Sequence, residues 1–223
     1  MQPSRFTHSV QASCPTMILS LCLLHGCDSP PRQQAKPAPV PPAEAPDLFR
    51  VKLETSKGDV VIEVHKEWAP RGARRFYDLV TSGFYDGARF YRVVRNYIAQ
   101  FGFKGDPKTD SLWQLSYIAD DPVKQSNKKG FVSFAQLGPA TRTTQVFINL
   151  RDNKDLDKSH FAPFGQVVEG MDVAGKLTFS YGDLPPRGGG PDPKQIALQG
   201  NRYLESKFPR LDYIVKATVQ PAP

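Results

Sequence analysis

The stretch Phe90-Tyr91-Arg92-Val93-Val94-Arg95-Asn96-Tyr97-Ile98-Ala99-Gln100 contains two apolar runs separated by the turn residue Asn96. Successive side chains of a strand point to opposite faces, so Arg92 shares one face with apolar residues of the first run. Gln100 shares a face with Ile98 in the second run. The pattern predicts a β-hairpin that carries a guanidinium and an amide into an apolar groove, where a planar donor fork suits a peptide carbonyl.

The chain on both sides of this hairpin also has the pattern of short strands. Apolar runs predict strands at 49–55, 60–64, 90–94, 97–101, 130–135, 145–149, 164–168 and 211–219. Helices are predicted over 70–83, 170–177 and 193–207, a polar connection over 104–129, and a loop over 185–193. Many short strands with few helices favour an antiparallel barrel or sandwich. Closing a barrel would remove exposed strand edges.

The composition is that of a globular protein of 223 residues, with 39% hydrophobic and 11% aromatic residues. The formal net charge is +7, from 29 basic and 22 acidic residues. The basic residues are scattered, so nucleic-acid binding is only a distant alternative and no nucleic-acid partner is expected. The glycine run 188–190 lacks the strand-then-helix framing of a phosphate loop. A monomer is expected.

All three cysteines, Cys14, Cys22 and Cys27, lie within the first 27 residues. The remainder of the chain therefore excludes a cysteine protease, a zinc ribbon and a disulfide scaffold. Of the four histidines, two lie within the first 25 residues, and His160 has no partner at metal-ligand spacing. A structural or pocket-wall role is therefore expected for His160 rather than metal binding.

Residues 1–26 have the features of a signal peptide, because Arg5 precedes a short apolar run at 17–24 and no acidic residue occurs. The run is too short to span a bilayer. It ends in Leu24-His25-Gly26-Cys27, which resembles the bacterial lipoprotein processing site. This resemblance implies that Cys27 becomes the lipidated first residue. An ordinary signal peptide or a mispredicted start codon is the alternative.

A tether is predicted after this cysteine, since residues 28–46 contain seven prolines and four alanines. Polyproline geometry, at ~3.1 Å per residue, extends such a segment to roughly 60 Å. The predicted organisation is thus a signal peptide, a segment 27–46 with cysteine and tether, a folded domain 47–219 and a tail 220–223. The expected location is the periplasmic side of a bacterial membrane, held by lipid at Cys27, with a soluble periplasmic protein as the alternative.

Several separated motifs occur in one order along residues 49–219. They are Ser82-Gly83-Phe84-Tyr85-Asp86-Gly87 before Phe90-Tyr91-Arg92-Val93-Val94, then the run 130–139 with 144–148, then Leu156-Asp157 with His160 and the run 164–173. In this order they resemble the cyclophilin family of peptidyl-prolyl cis-trans isomerases. The resemblance implies a closed eight-stranded antiparallel β-barrel capped by two helices, and it implies no cofactor or metal.

The resemblance also implies that Arg92 is the catalytic arginine beside a pocket for proline. The residues that it places in or beside this pocket are Tyr97, Ile98, Gln100, Ala135, Gln136, Gln145, Phe147, Leu156 and His160. Gln100 and Gln145 are implied hydrogen-bonding residues, and the backbone at Ala135 and Gln136 is implied to hold the peptide next to proline. The implied partners are proline-containing unfolded or partly folded polypeptides.

Some positions depart from the best-known members of the family. Gln136, Leu137 and Asp155 stand where asparagine, alanine and tryptophan are common. Tyr97 and Ile98 replace the usual phenylalanine and methionine. These departures motivate an alternative, a peptide-binding or holdase module that keeps the barrel without useful turnover. Apolar periodicity alone does not separate pocket residues from core residues.

Prolyl isomerisation requires no nucleophile, because the barrier of ~18–20 kcal/mol comes from the partial double bond of the amide. A catalyst needs an apolar slot for the ring and a donor that favours the twisted amide, whose nitrogen is the better acceptor. Arg92 is predicted to supply this donor. Catalysis would then be tighter binding of the twisted state than of the planar one.

Overall fold

One eight-stranded antiparallel sheet organises the protein, in a computed structural model that describes residues 44–222. Its strands are β1 (Leu48–Thr55), β2 (Gly58–His65), β3 (Arg92–Val94), β4 (Ile98–Phe101), β5 (Phe131–Phe134), β6 (Val146–Asn149), β7 (Pro163–Glu169) and β8 (Ile214–Pro221). The strand order is β3-β4-β6-β5-β7-β2-β1-β8. All eight predicted strands are present. The last strand runs to Pro221, which pairs with Phe49, so the folded domain extends past its predicted end at residue 219.

The predicted closure of the barrel is wrong, because the sheet is open between its end strands β3 and β8 and forms a half-barrel. The chain before β3 pairs with the chain before β8 through an isolated bridge between Arg89 and Tyr213 and neighbouring backbone hydrogen bonds. β3 has three residues, and Gly87 just before it lies in a turn with φ of 81°. The extended segment around β3 is therefore too short to form a continuous ladder of hydrogen bonds with β8.

The helices are shorter and more numerous than predicted. The described residues contain α1 (Pro70–Thr81), α2 (Pro107–Gln114), α3 (Asp155–Lys158), α4 (Met171–Gly175), α5 (Pro193–Gln199) and α6 (Asn201–Lys207). The expectation of two capping helices is therefore corrected. α2 lies within the predicted polar connection, where Asp106 caps its first turn by accepting from the Thr109 amide. The helix predicted over 193–207 is interrupted at Gly200, whose φ of 60° and ψ of −144° are open essentially to glycine alone.

The main core lies between α1 and the inner face of the sheet. Phe76 of α1 is fully buried and packs against Phe164 of β7, with ring centroids 4.9 Å apart. Leu79 and Ala73 of the same helix are also fully buried. Val93, Ala99, Ile148 and Val132 contribute from the sheet. This packing fixes which face of each strand is internal.

A second, smaller core lies beside β3 and is built largely by the segment 181–211. Its buried members are Tyr91, Ile196, Leu204 and Leu211, with Phe103, Tyr181, Leu184, Tyr203 and Phe208 partly buried around them. The Tyr91 and Phe103 rings meet edge to face at 5.1 Å. The segment 181–211 is therefore packed against the residue that precedes Arg92.

The predictions for the signal peptide, Cys27 and nearly all of the tether lie outside the described residues. Among residues 44–222, no helix has the length and apolar character needed to cross a membrane.

Candidate active site

A row of cross-strand neighbours places Arg92, Gln100 and Phe147 on one face of the sheet. Arg92 of β3 is opposite Gln100 of β4, and Gln100 is opposite Phe147 of β6. Residues directly opposite in antiparallel strands share a face. Strands are spaced by about 4.8 Å, so the backbones of Arg92 and Phe147 lie roughly 10 Å apart. Gln100 lies between them on the same face.

The same ladder separates the groove face from the core face. Ile98 and Phe147 are buried, with 3% and 2% of their surface exposed. Their strand neighbours Ala99 and Ile148 pair with each other and belong to the main core. Because side chains alternate along a strand, Ile98 and Phe147 point away from that core, towards the side occupied by Arg92. The strand register thus places these two residues in the groove. The apolar periodicity of the sequence did not decide whether they belong to the groove or to the core.

Arg92 is held by two hydrogen bonds that orient its guanidinium. Its Nε donates to Oδ1 of Asp183 at 2.7 Å, and its Nη1 donates to Oε1 of Gln100 at 3.1 Å. Nη2 donates to no other residue within 44–222, and 14% of the side chain is exposed. An arginine has five N–H donors in a rigid plane, so donors stay available for a peptide in the groove.

Gln100 is fixed in turn by a buried phenol. Its Nε2 donates to the hydroxyl oxygen of Tyr91 at 2.5 Å. Burial raises the pKa of Tyr91, and the smaller opposing effect is the charge of Arg92. The phenol therefore stays neutral, and Gln100 keeps its carbonyl oxygen turned towards the guanidinium.

The far wall of the groove comes from the segment that follows α3. The Phe161 ring meets Phe147 edge to face, with centroids 5.6 Å apart. His160 is exposed and has a positive φ of 61°. It lines an open cavity of about 470 Å³ together with Gln136 and Phe161. Nε2 of Gln136 donates to the Ser159 carbonyl at 3.2 Å, while its Oε1 is buried without a partner.

A network of buried amides supports this wall. The side chain of Asn127 donates to the Phe161 carbonyl and to Asp157, each at 2.8 Å. The side-chain oxygen Oδ1 of Asn127 accepts from the Ser133 hydroxyl at 2.8 Å. Burial tends to raise the pKa of Asp157, but hydrogen bonds from Ser126 and Asn127 outweigh it and hold the pKa below its usual value. The carboxylate of Asp157 therefore accepts hydrogen bonds from the loop around Asn127 and is not paired with the imidazole of His160.

Tyr97 and Leu156 lie at the edge of the groove. Tyr97 is half-buried, and its carbonyl accepts from the side chain of Asn153 at 2.9 Å. Leu156 is half-buried in α3, and its carbonyl accepts from the Phe161 amide at 3.2 Å. Both residues are linked to the wall through backbone groups.

Ala135 and Gln145 are joined at the end of the sheet beside this groove. The Ala135 amide donates to the Gln145 carbonyl at 2.8 Å, which continues the pairing of β5 with β6. Oε1 of Gln145 is buried without a partner. A β-carbon at Gly102, whose φ is 140°, would lie 2.5 Å from Cα of Gln145. Glycine is required there for the chain after β4 to pass Gln145.

Sequence reasoning missed Asp183 and Phe161 as site residues. Asp183 lies 91 positions from Arg92, immediately before the predicted loop 185–193. A single acidic residue in a loop carries no periodic signal, so nothing local indicated the ion pair. Phe161 follows the exposed His160 in a segment without strand or helix pattern. Within residues 44–222, no group of three or more metal-binding side chains comes together.

The groove therefore combines an apolar slot with an oriented guanidinium and unpaired amide oxygens. A slot lined by Ile98 and Phe147 can bury an apolar ring. The donors of Arg92 can stabilise an acceptor that develops beside that ring. The arrangement suits a proline-containing peptide whose amide is bound without covalent chemistry.

Comparisons with known proteins agree with this class of site. A family model described as cyclophilin type peptidyl-prolyl cis-trans isomerase/CLD matches residues 50–185. The peptidyl-prolyl cis-trans isomerase ppi1 of Schizosaccharomyces pombe is 35% identical over 136 residues, which cover 58% of this chain and 85% of that protein. The peptidyl-prolyl cis-trans isomerase A of Dickeya dadantii is 35% identical over 140 residues, covering 57% of this chain and 70% of that protein.

Solved structures agree on the fold. A cyclophilin type isomerase of Cryptosporidium parvum, crystallised in the presence of the dipeptide Ala-Pro, has a TM-score of 0.56 at 18% identity. The alignment covers 78% of this chain and 99% of that one. The chain belongs to the cyclophilin-type peptidyl-prolyl cis-trans isomerase family, and the predicted isomerase activity is confirmed at the level of the family. The matched region ends at residue 185, so α5, α6 and β8 lie beyond it.

Proposed function

We propose that this protein accelerates isomerisation of X-Pro bonds by using Arg92 as the donor to the twisted prolyl amide. The observation that carries the proposal is the row Arg92–Gln100–Phe147, in which an oriented guanidinium faces an apolar slot. The proline ring would lie against Phe147 and Ile98. The free donors of Arg92 would then reach the prolyl nitrogen, whose lone pair is localised on the nitrogen only when the amide twists out of plane.

The peptide on either side of the proline would be held by groups at the edge of the slot. The backbone of Ala135 and Gln136 lies at the end of β5, and Oε1 of Gln145 is a buried acceptor without a protein partner. Buried polar groups seldom remain unpaired, so a peptide N–H is a suitable donor for this oxygen. His160, Tyr97 and Leu156 would complete the rim. The substrates are proline-containing segments of unfolded or partly folded polypeptides.

The test measures cis-to-trans exchange in a proline peptide with wild type, Arg92→Ala and Arg95→Ala. Arg95 is the matched control, because it lies in the same hairpin but is exposed at the turn. We expect kcat/KM to fall about 100-fold in Arg92→Ala, in line with the loss of one oriented donor. Arg95→Ala should stay within about twofold of wild type. Equal rates for wild type and Arg92→Ala would reject the proposal.

We further propose that the enzyme acts on exported proteins from the periplasmic side of a bacterial membrane. The support is the sequence of the N-terminal region, with an apolar run, Cys27 and a proline-rich tether. Mass spectrometry of the mature chain tests this directly. We expect an N-terminus at Cys27 that carries lipid and is lost in Cys27→Ser. An unprocessed or cytoplasmic chain would contradict the proposed location.

A further inference from the structure

We infer that Asp183 is a positioning residue for the catalytic arginine, supplied to the active site by the segment 181–211. The inference rests on the proposed role of Arg92 and extends it to Asp183, which lies just inside the end of the region 50–185 that the family model matches. Its basis is the ion pair between Nε of Arg92 and Oδ1 of Asp183, at 2.7 Å. Their side chains are 14% and 21% exposed, so neither is a freely solvated surface charge.

The carboxylate and Gln100 act on different nitrogens of the same guanidinium. Asp183 accepts from Nε, and Gln100 accepts from Nη1. An arginine side chain has many rotamers when it is free, and two bonds to different nitrogens remove most of this freedom. The plane of the guanidinium is thus set before substrate arrives. Preorganised donors lose less free energy to reorganisation at the moment of reaction than mobile ones do.

Asp183 is itself held by a loop built around it. Its Oδ1 accepts from the Leu184 amide at 2.7 Å, and its carbonyl accepts from the Gly190 amide at 2.9 Å. A β-carbon at Gly188 would collide with the Asp183 carbonyl oxygen, 2.4 Å away. The glycine run 188–190, predicted as a loop, therefore has a structural purpose: it lets the chain close tightly on Asp183.

The same segment is anchored next to Arg92 by apolar packing. Leu184, adjacent to Asp183, is partly buried in the second core, which contains Tyr91. Tyr91 precedes Arg92 in the chain and accepts the hydrogen bond from Gln100. The second core thus connects to both partners of the guanidinium, through Leu184 to Asp183 and through Tyr91 to Gln100. This connection distinguishes Asp183 from an incidental surface ion pair.

The first test compares Asp183→Asn with Asp192→Asn, a matched change in the same segment. Asp192 caps α5 by accepting from the Lys194 amide and has no contact with Arg92. We expect kcat to fall about tenfold in Asp183→Asn with KM little changed, since the donor remains but the charged acceptor that orients its Nε is replaced by a weaker neutral one. Asp192→Asn should stay within about twofold of wild type. A rate in Asp183→Asn equal to or above that of wild type would overturn the inference.

A second arm asks whether Asp183 acts through Arg92. We expect Asp183→Asn to cause no further loss when it is introduced into Arg92→Ala, because the group to be positioned is then absent. An equal tenfold loss in both backgrounds would overturn the inference while leaving the role of Arg92 intact. If Arg92→Ala alone kept the wild-type rate, the proposed function and this inference would both fail.

A spectroscopic arm needs no variant and remains informative if Asp183→Asn folds poorly. The Nε proton of Arg92 is expected to give a shifted NMR signal that exchanges slowly with water, since it is bonded to a partly buried carboxylate. The exposed Arg95 in the same hairpin serves as the internal reference. Fast exchange of the Arg92 signal, matching that of Arg95, would overturn the inference.

Discussion

Two arginine–aspartate pairs in this protein have the same chemistry and opposite surroundings. Arg142 and Asp121 form a pair whose side chains are 1% and 0% exposed, with Nη1 and Oδ2 3.1 Å apart. Arg92 and Asp183 form a closer pair at 2.7 Å, with donors of Arg92 still open to the groove. Protein encloses the Arg142–Asp121 pair, whereas the Arg92–Asp183 pair leaves guanidinium donors without a protein acceptor among residues 44–222 on the side of the groove. Under the proposed role of Arg92, the difference separates a structural ion pair from one that prepares a binding site.

The partners of the buried pair show its structural task. The carboxylate of Asp121 also accepts from the amides of Arg71 and Gly72, in the first turn of α1. Arg142 additionally donates from Nη2 to the Ala119 carbonyl. The pair therefore ties the start of the helix that covers the main core to two surface segments.

The largest effect is expected from breaking the buried pair. In Arg142→Met the free energy of unfolding should fall by about 3 kcal/mol, because the buried carboxylate of Asp121 would lose its buried cation and keep only the exposed Arg71, whose Nη1 lies 3.8 Å away. Arg74→Met is the matched control, since its pair with Asp78 lies on the surface of α1 and should contribute less than about 1 kcal/mol. Urea unfolding measures both. Equal losses in the two variants would contradict the distinction between buried and surface pairs.

A smaller effect is expected from changing the shape of the cation in the groove. In Arg92→Lys an ammonium keeps the charge but cannot hold Asp183 and Gln100 in one plane while presenting further donors. We expect kcat/KM to fall about tenfold with little change in stability. Arg95→Lys in the same hairpin should stay within about twofold of wild type. A rate of isomerisation in Arg92→Lys equal to that of wild type would show that charge alone suffices.

The smallest effect concerns the dependence of stability on pH. Burial tends to raise the pKa of Asp183, but the hydrogen bond of Arg92, the amide of Leu184 and the charges of Arg92 and Arg187 outweigh it, so the pKa is lowered. A carboxyl whose pKa is lower in the folded state stabilises the fold above its unfolded pKa of about 3.9. This stabilisation is lost as the pH falls through the folded-state pKa.

We therefore expect wild type to exceed Asp183→Asn in stability by about 1 kcal/mol at pH 5–7, a difference that shrinks below about pH 4. Denaturant unfolding at a series of pH values measures it. If the stability difference between wild type and Asp183→Asn grew as the pH fell, the ionised carboxylate of Asp183 would not be stabilised by its ion pairing.

The sequence predicted most of the sheet and the central row of the site for a physical reason. Alternation along each strand is local, so the strands were found to within about three residues at either end. The turn at Asn96 also placed Arg92 and Gln100 on paired strands, and they are direct cross-strand neighbours. The catalytic role assigned to Arg92 came from the family resemblance and stays a prediction.

The remainder depended on contacts between distant parts of the chain. The pairing of Asp183 with Arg92 and the edge-to-face contact of Phe161 with Phe147 leave no periodic pattern. The open edge between β3 and β8 follows from the shortness of β3, whereas the prediction assumed that every exposed edge would pair. The break at Gly200 was missed because the helical pattern continues on both sides of that glycine.

The central claim is that Arg92 stabilises the twisted amide more than the planar one. NMR line-shape analysis of a proline peptide with wild type and Arg92→Ala measures the exchange rate and the Kd together. The account predicts that kcat falls about 100-fold in Arg92→Ala while Kd changes by less than about threefold. A Kd that weakened as much as kcat/KM fell would contradict it, because Arg92 would then bind both forms of the amide equally.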